Sequence, residues 1–143
     1  KLHHAQKMER FDYSSRSNIL FLTNQMLEEK DVRFYTLLNQ TDALITDYSS
    51  VFFDYLLIDR PIAFTVDDID SYSDNRGFVF DNPLDYMPGK KLRNDEDFKE
   101  FVTDCISGKD DYEAERKDIN DKVNYYKDNK NCERIINFVG LTK

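Results

Sequence analysis

Residues 43–66 read ALITDYSSVFFDYLLIDRPIAFTV, and this stretch decides the fold. Residues 43–46 are a short apolar run of the kind that forms a buried strand, and residues 51–58 have the length and composition of a helix. Pro61 cannot continue that helix, and the β-rich run 62–66 follows it directly. Strand, helix and strand in this order predict a βαβ unit, and therefore a Rossmann-like α/β fold with a parallel sheet flanked by helices.

Upstream of this unit the pattern is less regular. Residues 5–18 are polar and predict a loop, whereas the apolar run 19–22 predicts a brief buried strand. The apolar positions between residues 32 and 38 follow helical spacing, and Asp31 stands where an N-cap would be. We therefore expect one strand and one short helix before the βαβ unit.

Downstream of the unit, residues 67–94 are rich in Asp, Asn, Gly and Pro, which predicts a long loop with one short strand at residues 78–80. Loops of this length in compact domains are often functional. The remaining chain predicts an amphipathic helix from Asp95 to Gly108, a charged and mostly exposed helix over residues 110–127, and a short apolar helical segment at residues 135–139.

Length and charge limit the possible functions. The chain has 143 residues and a net charge of −8, and it shows no internal repeat, so we expect a single domain over residues 1–143. The negative charge has the wrong sign for nucleic acid or for anionic lipid. No apolar run approaches the roughly 20 residues that a membrane span requires. We expect neither a cofactor nor a metal site, although Asp67, Asp68 and Asp70 lie close enough in sequence to raise the question of a divalent ion.

The turn at Thr46, Asp47, Ser49 and Ser50 is the first candidate binding site. Ligands of parallel α/β sheets bind beyond the carboxyl ends of the strands, where helix N-termini and small residues let a diphosphate approach the backbone. The two serine hydroxyls could donate hydrogen bonds to such an anion. The structural alternative is that these side chains only cap the helix, which is worth about 1 kcal/mol.

Asp54 is the second candidate, because it lies four residues after Ser50 and therefore on the same helix face. A carboxylate in that position could accept hydrogen bonds from both hydroxyls of a ribose while the helix start holds phosphates. The alternative is an exposed aspartate that merely interacts with the helix dipole.

A family resemblance rests on these residues and on those that follow them. Residues 43–55, followed by Arg60-Pro61, closely resemble the signature of the CDP-glycerol glycerophosphotransferases. Residues 76–81 and Pro88-Gly89 are similar to the next stretch of that family, in the same order and at similar spacing. Lys1-Leu2-His3 resembles its Lys-x-His-Pro element, with His4 in place of the proline. The resemblance covers residue 1 to about residue 90.

The resemblance implies a GT-B architecture of two Rossmann-like domains, of which this chain would be most of the C-terminal, donor-binding one. The N-terminal partner domain would then be missing, in agreement with a start at Lys1 that lacks an initiator Met. The donor would be CDP-glycerol, and the acceptor a glycerol-phosphate polymer or a lipid-linked primer. The full-length protein would be cytoplasmic and peripheral at the inner face of the cell membrane.

The resemblance also implies roles for individual residues. Ser49 and Ser50, with the backbone at the helix start, would hold the donor diphosphate, and Asp54 its ribose. Thr46 and Asp47 would belong to the same substrate-binding turn. Arg76 would be a bidentate phosphate ligand, the alternative being a surface ion pair with Asp70 or Asp74. His3 would be the catalytic residue, by contacting the donor phosphate or assisting proton transfer. The alternative is a histidine of a terminal loop or of an expression tag.

Two other functions fit the same residues. A GT-B transferase could use CDP-ribitol or a UDP-sugar for the synthesis of a capsule or wall polymer. A doubly wound domain could also serve only as an interaction module, in which case the aromatic helix 51–58 would be nothing but core.

Overall fold

The computed structural model of the chain describes residues 18–20 and 22–141. The chain divides into two compact units, Lys1–Thr41 and Asp42–Lys143. In the described part of the first unit there are two short helices, α1 (Asn24–Glu29) and α2 (Phe34–Leu38). Thr23 caps α1, because its Oγ1 accepts a hydrogen bond of 3.1 Å from the Met26 N–H.

Two predictions for the first unit are wrong. Ile19, Leu20 and Leu22 form no strand in the described residues, and the side chains of Ile19 and Leu20 are largely exposed. An apolar run of this length has no partner strand in the described unit, so hydrophobicity alone does not make it a strand. Asp31 does not cap α2, because it has a left-handed φ of 51° and the N-cap position belongs to Arg33.

The second unit contains the sheet. In chain order its elements are β1 (Leu44–Thr46), α3 (Val51–Tyr55) with a 3₁₀ turn (Leu56–Ile58), β2 (Ile62–Thr65), α4 (Ile69–Asn75), a 3₁₀ turn (Pro83–Tyr86), β3 (Lys90–Leu92), α5 (Asp95–Ser107), α6 (Glu113–Val123) and α7 (Asn131–Phe138). The strands pair in the order β1-β2-β3, and both pairings are parallel. The predicted α/β fold with a Rossmann-like parallel sheet is therefore confirmed.

The core lies on both faces of β2. Ala63 packs with Leu92 and Phe101 on the face that α5 covers. Phe64 points to the opposite face, as alternation along a strand requires, and there it meets the Phe52 ring of α3 edge-on at 5.1 Å. Burial of β2 on both faces explains why its sequence is a continuous apolar run.

The helix of the βαβ unit is shorter than its apolar sequence suggests. α3 has five residues and tightens into the 3₁₀ turn, after which Asp59 adopts a left-handed φ of 48°. Pro61 then leads straight into β2. In chain order the unit agrees with the prediction, but its helix provides only a small dipole at its N-terminus.

The loop predicted over residues 67–94 is more structured than expected. It contains α4 and β3, neither of which the sequence predicts. The strand predicted at residues 78–80 is absent, since residue 78 is irregular and the chain bends at residues 79–80. The helices predicted from Asp95 onward are confirmed. Among the described residues no helix is long and apolar enough to cross a membrane.

Candidate functional site

The turn between β1 and α3 lies at the carboxyl edge of the sheet. A carboxylate oxygen of Asp47, Oδ1, accepts a hydrogen bond of 2.9 Å from the Ser49 N–H and so folds the turn. Ser50 holds the N-cap position with φ −61° and ψ −9°, and within the described chain its hydroxyl forms no capping bond. Asp47 therefore has the structural role, and the serine hydroxyls are not used to cap the helix.

Ser49, Ser50 and Asp54 are exposed, whereas Thr46 is half-buried at the end of β1. Asp54 follows Ser50 by one helical turn, so both side chains are on one accessible face of α3. The structure thus brings together five of the predicted binding residues in one continuous segment. What they do toward a ligand stays a prediction.

Tyr48 connects this turn to the segment after β2. Its hydroxyl donates a hydrogen bond of 2.8 Å to Asp68 Oδ1, and its ring contacts those of Tyr72 and Phe78 at centroid distances of 4.4 and 5.2 Å. Burial and the hydrogen bond to Asp68 raise the pKa of the Tyr48 phenol. The phenol therefore stays protonated and acts as a donor.

Arg76 follows α4 directly, between two residues that pack on Tyr48. Tyr72 precedes it by one helical turn and Phe78 comes two residues later, so both ends of its segment are held against the Tyr48 ring. Arg76 itself is exposed, and within the described chain it forms no ion pair. The alternative of a surface pair with Asp70 or Asp74 thus has no support from the structure.

Replacing Tyr48 with Phe tests the Tyr48–Asp68 link. The change keeps the ring cluster and removes only the donor to a carboxylate, so we expect a loss of about 1 kcal/mol in the free energy of unfolding. Urea denaturation followed by circular dichroism measures it. Tyr125→Phe is the matched control, because the side chain of Tyr125 is 80% exposed. Equal stabilities of the two variants would contradict a contribution from the Tyr48 hydroxyl.

An apolar cavity of about 170 Å³ lies beside the turn. Phe80 and Tyr86 stack in its wall at 3.7 Å with nearly parallel rings. The residues that line it are Tyr48, Ser50, Phe52, Phe53, Phe78, Val79, Phe80, Pro83, Tyr86 and Met87. Sequence reasoning missed this cavity, and the signal that could have found it is the spacing of the aromatic residues Phe78, Phe80 and Tyr86 after Gly77.

Acidic residues near the site do not form a metal centre. In the part of the chain that the structure describes, no three His, Cys, Asp or Glu side chains are grouped so that they could hold a metal ion. Asp68 is instead engaged by the Tyr48 hydroxyl. His3, the predicted catalytic residue, lies outside the described residues.

A comparison with protein families matches nearly the whole chain. The model of the family described as CDP-Glycerol:Poly(glycerophosphate) glycerophosphotransferase matches residues 1–141. The chain belongs to this family. The resemblance inferred from residues 43–55 and 76–81 is thereby confirmed, and the match extends over the helical part that showed no diagnostic motif.

Curated relatives in this family are much longer than the chain. The teichoic acid poly(glycerol phosphate) polymerase of Bacillus subtilis (strain 168) is 36% identical over 100 residues, which are 69% of this chain and 13% of the relative. The teichoic acid glycerol-phosphate primase of the same organism is 30% identical over 122 residues, 85% of this chain and 30% of the relative. A teichoic acid ribitol-phosphate primase of Bacillus spizizenii is 36% identical over 109 residues, 73% of this chain and 26% of the relative.

Proposed function

We propose that this chain is the donor-binding domain of a teichoic-acid-type glycerophosphotransferase that uses CDP-glycerol. The observation that carries the proposal is the exposed face of Ser49, Ser50 and Asp54 at the carboxyl edge of a parallel sheet, in a chain matched by this family over residues 1–141. Ligands of such sheets bind at this edge.

The diphosphate and the ribose of the donor each have suitable partners there. The hydroxyls of Ser49 and Ser50, which the helix does not use, donate to the diphosphate together with the backbone of the turn that Asp47 folds. The Asp54 carboxylate accepts hydrogen bonds from the ribose. Arg76 approaches the phosphates from the segment held by Tyr48, and the half-buried Thr46 closes the end of β1 beneath the turn.

The aromatic cavity adds a reason to favour a nucleotide. Ser50 lines it together with Phe53 and Phe80, so one ligand can place an oxyanion at the serine and a planar ring among the aromatic side chains. Stacking on aromatic rings contributes to the binding of nucleobases, and this contribution does not require a charged side chain. This suits a chain whose net charge is −8.

The reaction is an in-line attack on phosphorus. A hydroxyl oxygen of the acceptor, a glycerol-phosphate polymer or a lipid-linked primer, forms a bond to the phosphorus that carries glycerol. The bond from that phosphorus to the bridging oxygen breaks, and CMP leaves with the electron pair. The hydroxyl proton passes to a base, for which His3 is our candidate. Charge on the phosphates is stabilised by Arg76 and the serine hydroxyls.

The whole activity needs more than this chain. We propose that an N-terminal Rossmann-like domain completes a GT-B cleft, so that the chain alone binds CDP-glycerol weakly and does not catalyse transfer. The chain spans 13% and 30% of the two Bacillus subtilis relatives, which is consistent with such a division. The full-length protein would work at the inner face of the cell membrane, where a lipid-linked acceptor is within reach.

Calorimetric titration of the full-length protein with CDP-glycerol tests the site. We expect Ser50→Ala and Asp54→Ala each to weaken binding about tenfold, because each removes a hydrogen bond to a charged or strongly polar group. Both residues are exposed, so the fold should survive both changes. Ser107→Ala and Asp118→Ala are matched controls on exposed faces of α5 and α6. If both site variants bind like the parent, the assignment is wrong.

One observation supports CDP-ribitol as a second candidate donor. Relatives named as ribitol-phosphate enzymes match the same region, including a primase over 73% of this chain and a polymerase that is 49% identical over 53 residues. Titration with CDP-ribitol separates the two donors, since tighter binding of CDP-ribitol than of CDP-glycerol would assign the chain to the ribitol branch. Preference for a UDP-sugar would overturn the cytidine assignment altogether.

A further inference from the structure

Two side-chain amides of α6 and of the residue after it form hydrogen bonds to the backbone of α3 and of the turn that follows α3. The Asn124 side chain directly after α6 donates a hydrogen bond of 2.8 Å to the Phe53 carbonyl, and that of Asn120 donates one of 3.1 Å to the Leu56 carbonyl. The two amides also bond to each other at 2.9 Å. Arg116 lies four positions before Asn120, as Asn120 does before Asn124, so it extends the same row, and it binds Asp59 at 3.1 Å.

The Leu56 carbonyl also accepts a hydrogen bond of 3.2 Å from the Asp59 N–H, so the bond that matters most for α3 is the one to the Phe53 carbonyl. A helix leaves its last carbonyls without intrahelical partners, and a helix of five residues is not stable by itself. The Phe53 carbonyl belongs to the peptide that links Phe53 to Asp54. A hydrogen bond to that carbonyl therefore fixes the orientation of the backbone from which the Asp54 side chain projects.

Apart from these hydrogen bonds, α6 has few buried side chains that could fix its position against the rest of the unit. Ile119 is its only apolar side chain that is buried in the described structure, and its other buried side chain is the charged Arg116. Apolar contacts are non-directional, whereas hydrogen bonds require a defined distance and angle. The amide row is therefore what sets the position of α3 relative to α6.

We infer that Asn120 and Asn124 are positioning residues for donor binding. Through the Phe53 and Leu56 carbonyls they hold α3, and with it the face that carries Ser50 and Asp54. Neither side chain touches the ligand in this scheme. The inference rests on the proposed function, because it assigns a role to the site of donor binding.

The test is the variant Asn124→Asp in the full-length protein, titrated with CDP-glycerol by calorimetry. Asp has the shape of Asn but places a carboxylate oxygen against the Phe53 carbonyl, where the amide had donated. We expect binding to weaken about tenfold at a temperature well below the melting midpoint of the variant. If Asn124→Asp does not fold, Asn124→Ala takes its place in the titration, and it should also weaken binding of CDP-glycerol.

The control is Ile119→Val, which destabilises α6 without touching the carbonyls of α3. A merely structural role predicts that the Asn124 variants and Ile119→Val bind the donor equally once folded, and that result would overturn the inference. It is also overturned if the Asn124 variants bind within twofold of a parent that binds. A parent that does not bind CDP-glycerol at all overturns the proposed function, and the inference with it.

Discussion

Replacing Gly89 with alanine is expected to cost about 3 kcal/mol of unfolding free energy or more, the largest effect of an added methyl group at any of the four glycines. A Cβ at this position would lie 2.1 Å from the Ile62 carbonyl oxygen and 2.8 Å from its carbonyl carbon. Both are backbone atoms at the start of β2, so no side-chain rotation relieves the overlap. The strands β2 and β3 would have to move apart next to the Ala63–Lys90 pair.

Urea denaturation followed by circular dichroism measures this loss as a lower midpoint. Gly108→Ala is the matched control, because Gly108 has a left-handed φ of +74° but no atom within 4 Å of the added carbon. It should lose only the backbone strain, about 1 kcal/mol. If Gly89→Ala is no less stable than Gly108→Ala, close approach of the two backbones is not what requires glycine at position 89.

The βαβ unit could be predicted because its information is local. Apolar runs bounded by a polar turn and by Pro61 specify strand, helix and strand without reference to the rest of the chain. β3 could not be predicted in this way, because Lys90 and Lys91 occupy two of its three positions. Lys90 pairs with Glu100 at 2.7 Å, and the ammonium of Lys91 donates to the Met87 and Gly89 carbonyls. The ion pair with α5 and the bonds to nearby carbonyls thus allow a polar sequence to form an edge strand of the sheet.

At residues 78–80 the sequence predicts a strand that the structure does not contain, whereas for β3 the structure contains a strand that the sequence does not predict. Phe, Val and Phe favour a strand by propensity, yet Val79 is 96% exposed and Phe80 stacks on Tyr86 in the wall of the cavity. β-propensity reflects how well a side chain packs on the half-buried surface of a sheet. Here the Phe80 ring packs on Tyr86 and not on a sheet. The segment belongs to the candidate site and not to the sheet.

The candidate site was predictable where its residues are contiguous. Thr46 to Asp54 lie on one turn and one helix face, and spacing alone places them together. The link from Tyr48 to Asp68 joins residues that are twenty apart, and it depends on how α4 packs. Sequence reasoning named Arg76 but could not show that its neighbours Tyr72 and Phe78 are fixed on Tyr48.

Arg116→Ala is expected to cost about 3 kcal/mol at neutral pH, because it removes one partner of a buried ionic cluster. Only 1% of the Arg116 side chain is exposed, and its guanidinium binds both Asp110 oxygens at 2.8 and 2.6 Å and Asp59 at 3.1 Å. Without Arg116 the half-buried Asp110 carboxylate keeps its charge but loses its partner. Lys117→Ala, which breaks an exposed pair with Glu113 on the same helix, is the control and should have no measurable effect.

The pH dependence of the unfolding free energy lost in Arg116→Ala identifies the cause of that loss. The hydrogen bond from Arg116 lowers the pKa of Asp110 below that of an ordinary carboxyl group. A group with a lowered folded-state pKa contributes stability that is complete above its unfolded pKa of about 4 and is lost as the pH falls through the folded value. The stability gap between parent and Arg116→Ala should therefore be widest at neutral pH and should narrow as the pH falls below about 4. Urea midpoints at a series of pH values measure it, and a gap that does not change with pH would mean that Arg116 stabilises α6 by packing and not by its charge.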